Sequence, residues 1–280
     1  MLILDFDGTL TDAEAEGAPF KVGYLEDLAT LCGADLAEVQ ALAAGFEEEM
    51  LADKDRYGWI FLGHIVAPAS VDPYLRIMPV ARKILDRFGA FQSEADRSRL
   101  LDGILYKYNY RKSAVAFRPG AREFLASLPR DSSWVVTNSA TDPVRDKVRH
   151  LSRLGEDPSE LDWLVERVHG FGKKYVIDPD FDAVPETMEL PGLSRPVLLR
   201  RRRYHDLLDG LRQSIGAAWS DVTVIGDIFE LDLALPFRMG ARVALMVNEF
   251  TPAYESAFLD AHPRGALLYS MEEAQAFVRG

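Results

Sequence analysis

Short apolar runs, separated by turn residues and by amphipathic helical segments, set the hydrophobic pattern of this chain. Runs rich in β-branched and aromatic residues predict buried strands. Three of them end in polar residues: Leu2–Leu4 runs into Asp5, Trp134–Val136 into Thr137, and Val222–Ile225 into Gly226 and Asp227. Ligands of open α/β sheets bind outside the carboxyl ends of the strands. We therefore predict an α/β fold with a ligand site that includes Asp5.

The long segment from about residue 12 to about residue 117 has a helical pattern. Asp35 is a predicted N-cap, Pro73 a predicted first helical residue, and Ser93 the start of a capping box for a helix to about Lys112. The apolar stretch 56–66 is interpreted as the core of a helix pair rather than as a surface that contacts substrate. A block of about 100 residues is too long for a loop. The segment is therefore predicted to be a separate helical domain.

Composition narrows the class of protein. The 280 residues are 48% hydrophobic and 27% charged, which is typical of globular chains. The net charge of −12 argues against a general nucleic-acid or membrane-surface binder, although it leaves room for a local basic pocket. Cys32 stands alone, so an internal disulfide is excluded and a reducing compartment is favoured. With no signal peptide or transmembrane segment recognised, the expected location is the cytoplasm.

Asp5 and Asp7 form the first candidate chemical site. Two acids at positions i and i+2 of a strand end share one face and repel each other. A divalent cation, or a proton shared with a substrate, makes such a pair tolerable. An acidic turn after an edge strand explains the spacing of the two residues equally well.

The segment Asp5-Phe6-Asp7-Gly8-Thr9-Leu10-Thr11-Asp12 closely resembles the first motif of the haloacid dehalogenase superfamily, in its phosphohydrolase branch. The resemblance implies that Asp5 is a nucleophile, that Asp7 is a general acid and base, and that both serve Mg²⁺, Asp7 through its backbone carbonyl. It also implies a Rossmann-like, three-layer core with a mostly parallel sheet, formed by residues 1–12 and 117–280. Residues 13–116 would be a helical cap that covers the active site and selects the substrate.

Two further segments resemble later motifs of the superfamily. Thr137 at a strand end, with Asn138 beside it, matches the second motif, which binds the transferring phosphoryl group. A helix start follows closely and would offer free N–H groups to an anion, although an ordinary strand followed by an N-cap explains this segment as well. The spacing from Gly226-Asp227 to Asp232 matches the last motif, whose acids complete the Mg²⁺ site. Asp232 would act directly or through water, and Glu230 is a nearby carboxylate with a weaker claim.

The third motif requires a cation, and several are available. Lys173 and Lys174 follow a glycine-flanked strand, and strand alternation implies that only one of them points into the site. The arginine run 200–203 has three interpretations: a solvated face, a phosphate site or a nucleic-acid patch. We prefer the lysine pair, because an ammonium is a compact charge that can bridge two oxyanions.

The resemblance of the ordered motifs implies Mg²⁺-dependent hydrolysis of a small phosphate monoester through an aspartyl phosphate. The net charge of −12 argues against a nucleic-acid or membrane partner. The dehalogenase and phosphonate-cleaving branches lack an acid two residues after the nucleophile, so Asp7 argues against both. A phosphomutase keeps all four motifs and stays open. A non-catalytic relative that binds a phosphorylated ligand or a protein also stays open.

Overall fold

The computed structural model of the protein describes residues 1–53, 56–108 and 115–280. Within these ranges, six strands form one parallel sheet in the order β10-β9-β8-β1-β4-β5. The prediction of an α/β fold with a mostly parallel sheet is confirmed. The strands of the chain are β1 (Leu2–Leu4), β2 (Gly58–Phe61), β3 (His64–Pro68), β4 (Ser133–Val136), β5 (Val168–His169), β6 (Thr187–Met188), β7 (Val197–Leu198), β8 (Thr223–Gly226), β9 (Arg242–Met246) and β10 (Gly265–Leu268).

Strand β1 lies in the middle of the sheet and separates two hydrophobic cores. Its side chains alternate between the two faces, as the period of a strand requires. Leu2 and Leu4 pack into one core and Ile3 into the other, and all three are buried. Helices cover both faces, which gives the three layers expected of this fold.

The described residues form eleven α-helices, of which the second, third and fourth begin where the sequence predicts. They are α1 (Ala13–Cys32), α2 (Leu36–Ala52), α3 (Pro73–Arg87), α4 (Glu94–Tyr108), α5 (Ala121–Ala126), α6 (Thr141–Arg153), α7 (Asp162–Val165), α8 (Arg202–Ser214), α9 (Ala234–Met239), α10 (Ala253–Asp260) and α11 (Met271–Arg279). A 3-10 turn (Trp219–Asp221) precedes β8, and a π-helix (Phe229–Leu233) follows it. None of the described helices has both the length and the apolar composition that crossing a membrane would need.

The chain forms two compact units. Unit 1 comprises residues 1–12, 60–67 and 117–280, and unit 2 comprises residues 13–59 and 68–116. Unit 2 has its own core, built mainly from α1 to α4. The Asp35 carboxylate caps α2 by accepting bonds from two backbone N–H groups, and Pro73 is the first residue of α3, as predicted. The end predicted for α4 at Lys112 lies outside the described residues.

The helical prediction for residues 56–66 is wrong, because β2 and β3 form a two-stranded hairpin there. The turn residues Leu62 and Gly63 both have positive φ, of 48° and 82°, as the tight turns that join hairpin strands require. Trp59, Ile60 and Phe61 on one side of the turn, like Ile65 and Val66 on the other, favour extended backbone. The short apolar run therefore continues as strands instead of as helix.

Candidate active site

The carboxyl ends of β1, β4 and β8 meet at one edge of the sheet. Leu4 pairs with Val135 on one side and with Ile225 on the other, and the Asp5 N–H donates to the Ile225 carbonyl at 2.9 Å. Because the strands are parallel and in register, Asp5, Thr137 and Asp227 all follow the strands at this edge. Local strand propensity thus selects the strands, and their pairing brings the polar ends together.

Three of the predicted metal ligands form one cluster. Asp5, Asp227 and Asp232 are buried, and one carboxylate oxygen from each lies within 4.8 Å of the others. The Thr9 hydroxyl lies 3.1 Å from Asp5 Oδ2 and 3.4 Å from Asp227 Oδ1. The cluster consists of oxygen donors only, which are the ligands that Mg²⁺ prefers. Three buried carboxylates so close together repel one another, and a divalent cation would offset that repulsion, so the residues present fit the ion.

Lys174 reaches this cluster with its ammonium group. Its ammonium Nζ lies 2.6 Å from Asp5 Oδ1 and 2.7 Å from Asp232 Oδ1, and its side chain is fully buried. Burial by itself would lower the pKa of Lys174, but the charges of Asp232 and Asp5 outweigh it and raise that pKa above its ordinary value. The lysine is therefore charged and bridges two carboxylates.

Strand alternation does not decide between the two lysines, because the segment that carries them is not a strand. β5 ends at His169, and Lys173 has a left-handed backbone with φ of 46°. The Lys174 N–H donates to the Asn138 side-chain oxygen at 2.8 Å. Asn138, considered from the sequence as a phosphate ligand, thus holds the backbone of the lysine, and the Lys173 side chain is not part of the described cluster.

The carboxyl group of Asp5 is strongly affected by its surroundings. Burial raises the pKa of Asp5, Lys174 opposes this effect, and the charges of Asp232 and Asp7 add to it. A bound divalent cation would favour the ionised form of this carboxyl group.

Asp7 is surrounded by hydroxyl groups and a second lysine. The Ser139 and Thr137 hydroxyls donate to Asp7 Oδ2 at 2.7 and 3.2 Å, and the Ser139 N–H donates to the Thr137 hydroxyl at 3.1 Å. Lys147 Nζ, from α6, lies 3.5 Å from Asp7 Oδ1. Sequence reasoning missed Ser139 and Lys147. The hydroxyl of Ser139, two residues after Thr137, is a usable signal, whereas nothing local distinguishes Lys147 on its helix.

Glu230 is held by other partners than the carboxylate cluster. Arg195 donates to both of its oxygens, at 2.9 and 2.6 Å, and the Tyr254 hydroxyl donates to Oε1 at 3.3 Å. Burial raises the pKa of neighbouring Glu255 well above its ordinary value. The bonds from Arg195 and Tyr254 give Glu230 a structural function in the π-helix that also carries Asp232.

Sequence comparison and structure comparison give different results. No protein-family model matches the chain, and no match is found among curated proteins. Solved structures, however, match over nearly the whole chain. A Haemophilus somnus protein described as a predicted phosphoglycolate phosphatase has a TM-score of 0.53 and 14% identity, and the match covers 99% of this chain and 97% of the other.

Two further solved structures show the same relationship. A haloacid dehalogenase-like protein of unknown function from Agrobacterium tumefaciens has a TM-score of 0.52 and 14% identity, with 99% of this chain and 96% of the other covered. A Bacillus subtilis protein described as a HAD-hydrolase bound to magnesium has the same score and identity, with 100% and 98% covered. At this identity the likeness establishes the fold and no more. The chain has the fold of the haloacid dehalogenase-like hydrolases.

Proposed function

We propose that this protein is an Mg²⁺-dependent phosphohydrolase that acts on a small phosphate monoester through an aspartyl phosphate. The observation that supports this most is the contact of Asp5 with Lys174, at 2.6 Å, inside a cluster of carboxylates that fits a divalent cation. A carboxylate nucleophile beside a buried ammonium suits attack on a dianionic phosphoryl group, because the ammonium offsets the charge of the equatorial oxygens.

The first step forms the covalent intermediate. An Asp5 carboxylate oxygen attacks phosphorus in line, and a bond from phosphorus to that oxygen replaces the bond to the leaving ester oxygen. Asp7 gives its proton to the leaving oxygen, so that the alcohol departs neutral. Ser139 orients the Asp7 carboxyl group through its hydroxyl.

The second step restores the enzyme. Water attacks phosphorus while Asp7, now ionised, accepts a proton from it. The bond between Asp5 and phosphorus breaks, and inorganic phosphate leaves. Lys174 offsets charge on the phosphoryl oxygens in both steps, together with the Thr137 hydroxyl.

Asp5, the Asp7 carbonyl, Asp227 and Asp232 would hold Mg²⁺. The bound ion supplies positive charge that offsets the charge on the phosphoryl oxygens. Gly8 supports this assignment, since a Cβ atom there would lie only 2.1 Å from Asp227 Oδ2. The tight approach keeps the first motif and the last motif in contact.

The printed name of the Haemophilus somnus structure, a predicted phosphoglycolate phosphatase, agrees with a small phosphate monoester as substrate.

A separate proposal concerns the helical segment, residues 13–116, which would be the cap that selects the substrate. The contact of Lys174 with Asp5 and Asp232 also favours catalysis over the non-catalytic alternative, which rested on an unclear third motif.

The test is a phosphate-release assay on a panel of phosphate monoesters, with and without Mg²⁺. Asp5→Asn should lower turnover by at least about a thousandfold, because an amide cannot form the acyl phosphate. Asp131→Asn is the control, because that carboxylate is fully exposed. An acid-quenched reaction should carry the phosphoryl group on the peptide that contains Asp5. Full activity in Asp5→Asn, or no turnover of any ester by the folded wild type with Mg²⁺, would contradict the proposal, and a rearranged phosphorylated product would identify a phosphomutase.

A further inference from the structure

Arg201 is a fully buried arginine in the run 200–203, whose function the sequence leaves open. A buried guanidinium ordinarily pairs with a carboxylate. In the part of the chain that the structure describes, the hydrogen bonds of Arg201 go instead to backbone carbonyls. Nε donates to Leu198 at 3.0 Å, Nη2 to Val66 at 2.9 Å, and Nη1 to Lys174. The side chain therefore serves to connect backbone segments.

The three carbonyls belong to segments far apart in sequence. Leu198 ends β7, Val66 lies in the hairpin strand β3, and Lys174 lies in the loop after β5. All three belong to unit 1. The planar guanidinium offers five N–H donors in a fixed fork, so one side chain can fix the relative positions of all three segments.

Lys174 is held by both of its backbone groups. Its N–H donates to the Asn138 side chain at 2.8 Å, and its carbonyl accepts from Arg201. Its flexible side chain then reaches Asp5 and Asp232 from a fixed base. A displacement of this backbone would move the ammonium away from the phosphoryl site.

The hairpin makes a second contact with the same loop. The Phe61 ring packs on the Tyr175 ring with centroids 4.7 Å apart. Residues 60–67 are thus attached to the lysine loop at Phe61 through an aromatic pair and at Val66 through Arg201. The hairpin residues 60–67 belong to unit 1, although the chain on either side of them belongs to unit 2.

We propose that Arg201 is a positioning residue that joins the hairpin 60–67 to the lysine loop 172–176 as one rigid body, and so sets the position of Lys174. The kinetic consequence rests on the proposed phosphohydrolase function, whereas the rigidity does not. Loss of the guanidinium should loosen both segments together.

Hydrogen exchange on the full chain tests the rigidity directly. In Arg201→Ala, amides of residues 60–67 and 172–176 should exchange at least about tenfold faster, because their shared anchor is gone. Arg201→Lys keeps a charge but not the fork, and should show a smaller effect in the same two segments. Arg203→Ala is the matched control, because Arg203 belongs to the same run and is exposed. Guanidinium chloride, far below denaturing concentrations, should restore protection in Arg201→Ala but sodium chloride should not.

Kinetics form the second arm. Arg201→Ala should lower kcat about a hundredfold with a smaller change in KM, because a misplaced ammonium chiefly loses stabilisation of the transition state. Added guanidinium chloride should raise the kcat of Arg201→Ala at least tenfold. Faster exchange in only one of the two segments would overturn the proposal, and so would equal effects of Arg201→Ala and Arg203→Ala. If Arg201→Ala does not fold, Arg201→Lys decides, and exchange equal to wild type in that variant would overturn the proposal. Exchange is measured without substrate, so absence of phosphatase activity would overturn the proposed function alone.

Discussion

Gly8 shows how one residue joins two motifs that are distant in sequence. Its φ of 78° lies in the left-handed region, which glycine adopts at little cost. A Cβ atom at this position would lie 2.1 Å from Asp227 Oδ2, so any side chain would push the Asp227 carboxylate away. Both backbone conformation and space therefore require glycine here.

We expect Gly8→Ala to lose at least about tenfold in activity and to need more Mg²⁺ for half-maximal rate, because Asp227 must move. Gly33→Ala is the matched control, with φ of 62° and no atom within 4 Å of the added Cβ. Both variants should lose about 1–2 kcal/mol of unfolding free energy through backbone strain alone. The Mg²⁺ dependence of the rate in the two variants separates backbone strain from the collision of the added Cβ with Asp227. An unchanged Mg²⁺ requirement in Gly8→Ala would count against the collision.

At the scale of elements, the π-helix Phe229–Leu233 is held from outside. Arg195 binds both oxygens of Glu230, and the Tyr204 hydroxyl donates to the Asp232 carbonyl at 2.8 Å. Single-turn π-helices are rare and frequently lie at functional sites. These contacts stabilise the irregular turn that presents Asp232 to Lys174.

Arg195→Met should lower the unfolding free energy by about 3–5 kcal/mol, because it leaves the buried Glu230 carboxylate without its counter-charge. The double variant Arg195→Met with Glu230→Gln should be more stable than Arg195→Met, since it removes that charge. Chemical denaturation measures both, and Arg203→Met, at an exposed position, should stay within about 0.5 kcal/mol of wild type. Equal stability of the single and double variants would show that the lost charge pairing is not the cause.

At the scale of the whole molecule, the proposed metal site belongs to one compact unit. Asp5, Asp227 and Asp232 all lie in unit 1, which forms from three separate stretches of the chain. An ion that binds only the folded site stabilises that unit by mass action.

We expect Mg²⁺ at about a hundred times its Kd to add about 2.7 kcal/mol, which corresponds to a rise in Tm of about 5–10 °C. Calorimetry with Mg²⁺ and with EDTA measures the shift. Asp227→Asn should abolish it by removing a ligand, whereas Asp131→Asn should retain it. A shift of the same size in Asp227→Asn would mean that the ion acts elsewhere.

Local features of the sequence are sufficient to predict much of the fold. The apolar run into Asp5, the β-branched run into Asp227 and the N-cap Asp35 are decided by neighbours a few residues away, so they can be read without a structure. The resemblance of the motifs to those of the haloacid dehalogenase superfamily nominates Asp5, Asp7, Thr137, Asp227 and Asp232 as site residues.

Long-range contacts decide the rest. The choice of Lys174 over Lys173 depends on a left-handed turn and on Asn138, and the assignment of Glu230 depends on Arg195, which is 35 residues away. The hairpin at 60–67 is held by Arg201 and Tyr175, which the local pattern of that stretch cannot indicate. The sequence by itself determined the strands that end in Asp5, Thr137 and Asp227 and the N-cap of α2, because these follow from short-range patterns. It also nominated the acidic motif residues, through their resemblance to a known superfamily. Only the tertiary structure decided which cation meets Asp5, because that contact joins residues 169 positions apart.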